Sequence, residues 1–112
     1  MVNRPGRGCT VVTVRGELDM ETAPGLRDGL QRLVDAGDRH VVLDLAGVGF
    51  MDSSALGALV TVYRALDGAG GRLSLAAVQP AVRNVLRITS VDRVIHIYET
   101  IEAAEAAAAP GA

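Results

Sequence analysis

The chain of 112 residues is long enough to bury one core without disulfides or metals and too short for a second domain. Its 49% hydrophobic and 21% charged residues exclude a disordered polymer, which is poor in apolar side chains and rich in charge. The 11 basic and 13 acidic side chains are scattered, for a net charge of −2, so no cationic cluster exists to track a nucleic-acid backbone.

Residues 1–8 are polar and glycine-rich, and read as a flexible N-terminal segment or a degenerate first strand. They lack the apolar centre of a secretory signal, and no stretch approaches the roughly 18 to 20 apolar residues of a membrane span, so the expected location is the cytoplasm with no membrane partner. Cys9 is the only cysteine, which rules out an internal disulfide; it is expected as a small buried side chain in a strand. Cys9 to Arg15 is β-branched without a helical stripe and predicts a strand ending at Gly16. Thr22 as N-cap, Pro24 in the first turn and Leu26, Leu30, Leu33 and Val34 on one stripe predict a helix that stops at Gly37. His40 to Leu45 is a short apolar run, as in a central strand buried on both faces.

A connection through Gly47 and Gly49 is expected next, followed by a helix striped with Leu56, Leu59, Val60, Tyr63 and Leu66 and ended by Gly68, Gly70 and Gly71. Arg72 to Val78 predicts a third strand, Pro80 opens a helix carrying Val82, Val85, Leu86 and Thr89, and Val94 to Tyr98 predicts a fourth strand. Thr100 to Ala109 is alanine-rich and favours helix, with Ile101 its only large apolar anchor; Pro110 to Ala112 are expected to fray. Strands alternating with helices imply right-handed crossovers and a largely parallel sheet with helices packed against it.

The residues with chemistry lie in Phe50-Met51-Asp52-Ser53-Ser54-Ala55-Leu56-Gly57, where an apolar pair leads into Asp and two Ser as a helix begins. Asp and Ser accept hydrogen bonds from the free N–H groups of a helix start, so they serve as caps. The same helix terminus tolerates added negative charge, so a phosphate of roughly −1.5 to −2 on Ser53 would change the surface without unfolding the domain. A hydrolase reading fails on two counts. The segment does not match G-x-S-x-G, and neither His40, about five residues of strand away at roughly 3.3 Å each, nor His96 is placed as a base. One Cys and two separated His offer no metal cluster. Gly68 to Gly71 follows a helix and precedes a strand, the reverse of a phosphate loop, so no cofactor is expected.

Gly16-Glu17-Leu18-Asp19, Val41-Val42-Leu43-Asp44-Leu45 and Phe50-Met51-Asp52-Ser53-Ser54, in that order, resemble the segments of anti-sigma factor antagonists of the STAS type, as does Pro80-Ala81-Val82-Arg83. The resemblance runs from about Cys9 to Glu102, and Ala55 departs from it where a glycine is usual. It implies a single STAS-like α/β domain over residues 9–102, with a central mixed, mostly parallel sheet of four to five strands and about four helices. Residues 103–112 are then an alanine-rich helix end and tail.

The implied function is a non-enzymatic switch. Unphosphorylated, the protein binds an anti-sigma factor with serine kinase activity and so releases a sigma factor; phosphorylation ends the binding and a serine phosphatase restores it. Ser53 is the implied phosphoacceptor, with Ser54 the second choice. Asp19, Asp52, Ser54, Leu56 and Gly57 are the implied partner contacts, in a monomer or weak homodimer. The rival reading is a non-phosphorylated scaffold subunit of a signalling or transport assembly, with Ser53 only a cap.

Overall fold

The computed structural model describes residues 1–109; Pro110 to Ala112, where fraying is expected, lie outside the described residues. Alternation of strand-forming and helix-forming runs yields β1 (Val2–Pro5), β2 (Thr10–Leu18), α1 (Ala23–Asp35), β3 (His40–Met51), α2 (Ser53–Gly68), β4 (Arg72–Ala76), α3 (Pro80–Ile88), β5 (His96–Tyr98) and α4 (Ile101–Ala108). A 3-10 turn, Val91–Arg93, links α3 to β5. The sheet order is β1-β2-β3-β4-β5; β1 is antiparallel to β2 and the other neighbours are parallel, as βαβ crossovers require. No helix among the described residues is long and apolar enough to cross a membrane.

Several strand boundaries differ from the sequence expectation. β2 does not stop at Gly16, nor does β3 stop at Leu45; the two strands continue side by side through Arg15↔Gly47, Gly16↔Val48 and Glu17↔Phe50 to Leu18↔Met51. Gly47 and Gly49 are therefore strand residues, and two register shifts, between Thr13 and Arg15 and between Gly16 and Glu17, each take up an extra residue in β3. β4 ends at Ala76 because Ala77 turns into the left-handed region with φ 58°, leaving Val78 in the connection. β5 begins only at His96, because Val94 and Ile95 still donate their N–H groups to the Val91 carbonyl, at 3.0 and 2.9 Å, and so close the 3-10 turn. At the N-terminus Val2–Pro5 pairs with Thr10 to Thr13, so the sheet has an antiparallel edge strand whose side chains are all exposed.

Alternation along the strands sorts side chains onto two faces. Val12, Val14, Val41, Leu43 and Leu45 pack with Leu26 and Leu30 of α1 and Leu56, Leu59, Val62 and Leu66 of α2 in the main core. Val11, Val42 and Ala76, offset by one residue, form a smaller cluster with Ala104 of α4, against which Cys9, Tyr98 and Ile101 pack. Cys9 is half-buried just ahead of β2 rather than within it.

Candidate functional site

The paired extension of β2 and β3 beyond the body of the sheet delivers two chain segments to one place. Asp52 follows Met51 directly, and its N–H donates to the Leu18 carbonyl at 3.0 Å, so the start of α2 is fixed against the β2–α1 turn. Asp52 is extended, with φ −110° and ψ −176°, as an N-cap must be. Its Oδ1 accepts from the N–H groups of Ser54 at 2.9 Å and Ala55 at 3.2 Å. Its carbonyl accepts from Leu56 N–H at 3.1 Å.

Capping by Asp52 frees the serines. Ser53 is the first residue of α2 and Ser54 the second; both are exposed, and neither hydroxyl makes a hydrogen bond among the described residues. Ala55, Leu56, Ala58 and Leu59 turn inward beneath them. Leu56, expected as a partner contact, is only 7% exposed and belongs to the core, so it supports the surface instead of forming it. Gly57 is exposed, as a contact residue requires, and the space beyond its Cα is open.

Asp19 is spent locally. Its Oδ1 accepts from the N–H groups of Glu21 at 2.9 Å and Thr22 at 3.1 Å, and lies 3.2 Å from the Thr22 hydroxyl. The Thr22 N–H bond, ahead of that from Glu21 and the Thr22 hydroxyl, holds the Asp19 carboxyl below the usual carboxylate range. Thr22, expected to cap α1, makes no cap bond; its hydroxyl accepts from Asp19 N–H and sits 2.9 Å from the Glu17 carbonyl. The pair locks the β2–α1 turn beside Leu18, and through Leu18 beside Asp52.

Sequence reading missed two apolar residues here. Phe50 and Met51 look alike as an apolar pair, but strand alternation buries Met51 and leaves Phe50 49% exposed. Met20, in the turn after Asp19, is 74% exposed and lines a groove between α1 and α2 with Ser54 and Gly57. Only the turn residues around Met20 hinted that it stands outside the helical stripe.

The histidines sit elsewhere. His40 opens β3 and Ser53 follows its far end, separated by a strand of 12 residues where a shorter one was expected. At about 3.3 Å per residue that is roughly 35 Å or more of extended chain. His96 pairs with Ser74, which pairs with Val42, so it lies level with the His40 end of the sheet, stacked on Tyr98 at 4.2 Å. Both histidines therefore lie toward the end of the sheet away from Ser53. Among the described residues no group of three His, Cys, Asp or Glu side chains is arranged to hold a metal.

The family model of the STAS domain matches residues 3–104. The chain is similar to the anti-sigma F factor antagonist of Paenibacillus polymyxa, with 31% identity over 94 residues covering 83% of this chain and 80% of the relative. It is 32% identical over 91 residues to the anti-sigma-B factor antagonist of Staphylococcus aureus, covering 81% of this chain and 84% of the relative. The crystal structure of an anti-sigma factor antagonist from Mycobacterium paratuberculosis superposes with a TM-score of 0.86 at 32% identity, over 96% of this chain and 91% of that one.

Proposed function

The chain belongs to the STAS domain family, and we propose that it is an anti-sigma factor antagonist whose grip on an anti-sigma factor kinase is governed by the phosphorylation of Ser53. The observation that carries this reading is the free, exposed Ser53 hydroxyl at the first position of α2, where Asp52 already supplies the cap. A serine needed as the cap would lose that bond on modification. Here nothing structural depends on it.

In the proposed cycle the γ-phosphoryl group of ATP held by the kinase passes to Ser53 Oγ. The hydroxyl proton leaves to a base of the kinase, and ADP departs. A serine phosphatase later hydrolyses the ester with water, returning the hydroxyl and inorganic phosphate. Ser54, the next residue and also exposed, is the second-choice acceptor.

The phosphate adds roughly 1.5 to 2 negative charges at a face where Asp52 is already acidic. Two like charges about 4 Å apart repel by roughly 4 kcal/mol at an effective dielectric near 20. A hundredfold loss of affinity needs only about 2.8 kcal/mol, so one such contact in a partly desolvated interface suffices.

The test is a binding measurement with each purified anti-sigma factor kinase of the source organism, comparing wild type, Ser53→Ala and Ser53→Asp. Wild type and Ser53→Ala are expected to bind alike, and Ser53→Asp at least tenfold more weakly. With ATP, wild type should gain one phosphate and Ser53→Ala none. Equal binding by all three, with no mass increase in the wild type, refutes the switch and favours the scaffold reading.

A further inference from the structure

We propose that the groove between α1 and α2 is where the kinase seats a side chain, and that Met20 and Gly57 decide which partner fits; this rests on the kinase-binding reading above. The groove has a volume of about 360 Å³ and is walled by Met20, Ala23, Arg27, Ser54, Gly57 and Thr61. It starts at Ser54, the neighbour of Ser53, and is therefore continuous with the proposed phosphosite.

Each wall contributes a different chemistry. Met20 is 74% exposed, and its flexible thioether moulds to an apolar guest. Ala23 and Gly57 leave the floor open: a Cβ built on Gly57 meets no atom within 4 Å. Arg27 reaches only its neighbour Asp28, at 3.4 Å with both side chains at least half exposed, a pairing too weak to hold the guanidinium from a better acceptor. The occupant that satisfies all three is a kinase segment presenting an apolar side chain to Met20 and Ala23 with a carboxylate beside it for Arg27. Such a segment passes Ser54, next to Ser53 in the chain, so a phosphate on Ser53 would stand at its edge and disfavour it.

Gly57→Leu tests the idea, because the new side chain grows into open space and leucine favours helix, so the fold survives while the groove fills. Binding to the purified kinase and thermal melting are measured for wild type, Gly57→Leu, Met20→Ala, Arg27→Gln, Ser53→Asp and the remote control Ile88→Ser. Gly57→Leu is expected to bind at least tenfold more weakly with an unchanged or higher melting temperature, and Met20→Ala several-fold more weakly. Arg27→Gln should slow association and lessen its salt dependence, and Ile88→Ser should bind as wild type. Binding of Gly57→Leu within twofold of wild type, while Ser53→Asp fails, overturns the groove and leaves the switch standing. Loss in Gly57→Leu with no effect of Ser53→Asp does the reverse. Normal kinase binding by Gly57→Leu accompanied by lost self-association would assign the groove to a second copy and overturn the proposal.

Discussion

Removing the Asp52 carboxylate isolates what the cap contributes. In Asp52→Ala the N–H groups of Ser54 and Ala55, now bonded at 2.9 and 3.2 Å, lose their acceptor at the one helix end the site depends on. Replacing an N-cap acceptor by alanine costs about 0.5–2 kcal/mol, and two bonds lost together place this change at about 1–2 kcal/mol. Unfolding entropy of about 2.1 cal/mol/K per residue gives roughly 0.24 kcal/mol/K for a chain of this length, so the melting temperature should fall by about 4–8 °C. Asp52→Asn and Asp52→Ser keep an acceptor, and should recover most of the loss. Thermal unfolding followed by far-UV circular dichroism reads all four proteins. A melting temperature for Asp52→Ala within 1 °C of wild type, or equal losses in all three variants, would show that the cap does not hold the start of α2. The claim that the Ser53 hydroxyl is structurally idle would then lose its basis.

Two further expectations follow from titratable groups. The lowered Asp19 carboxyl favours the folded state wherever the unfolded carboxyl is ionised, above about pH 4. Its contribution is lost as pH falls through the lower folded value, so the stability gap between wild type and Asp19→Asn should be constant near neutrality and close in acid; a gap that widens in acid contradicts the assigned bonds. Burial, then the nearby Glu105 carboxylate, push the Cys9 thiol up, while Arg4 opposes them. Labelling by a disulfide reagent at pH 8 should therefore be much slower in the folded protein than in denaturant, and equal rates would show that Cys9 is not shielded.

The parts of this molecule that were legible in sequence are those written by local chemistry. Leu26, Leu30 and Val34 in α1, and Leu56, Leu59 and Leu66 in α2, recur at helical spacing because each helix buries one face, and all six are buried. Asp52 beside Ser53 was readable because capping needs only neighbours in the chain. What escaped depends on partners distant in sequence. Gly47 and Gly49 look like a turn, and only the matching extension of β2 makes them strand. The N-terminal Val2–Pro5 has no buried face to give it a pattern; backbone pairing with β2 defines it. The groove joins Met20 and Arg27 to Ser54 and Gly57 across two helices, a juxtaposition no periodicity records.

The same division explains why a charge can be added at Ser53 without endangering the domain. Phosphate would face the Asp52 carboxylate, a repulsion of roughly 1 kcal/mol per unit charge at about 4 Å in water. The α2 terminus returns about 0.3–1 kcal/mol to an anion there. Against that small balance, Leu59, Val62 and Leu66 of the same helix are fully buried, each worth about 1.5–3 kcal/mol. They hold α2 to the sheet from the face opposite the serines. A perturbation of about 1 kcal/mol in water thus leaves α2 seated, yet grows several-fold once a partner excludes the solvent that screens it. The helix would in this way be insensitive to phosphorylation of Ser53 on its own and sensitive to it only in a complex, which is the asymmetry the proposed switch requires.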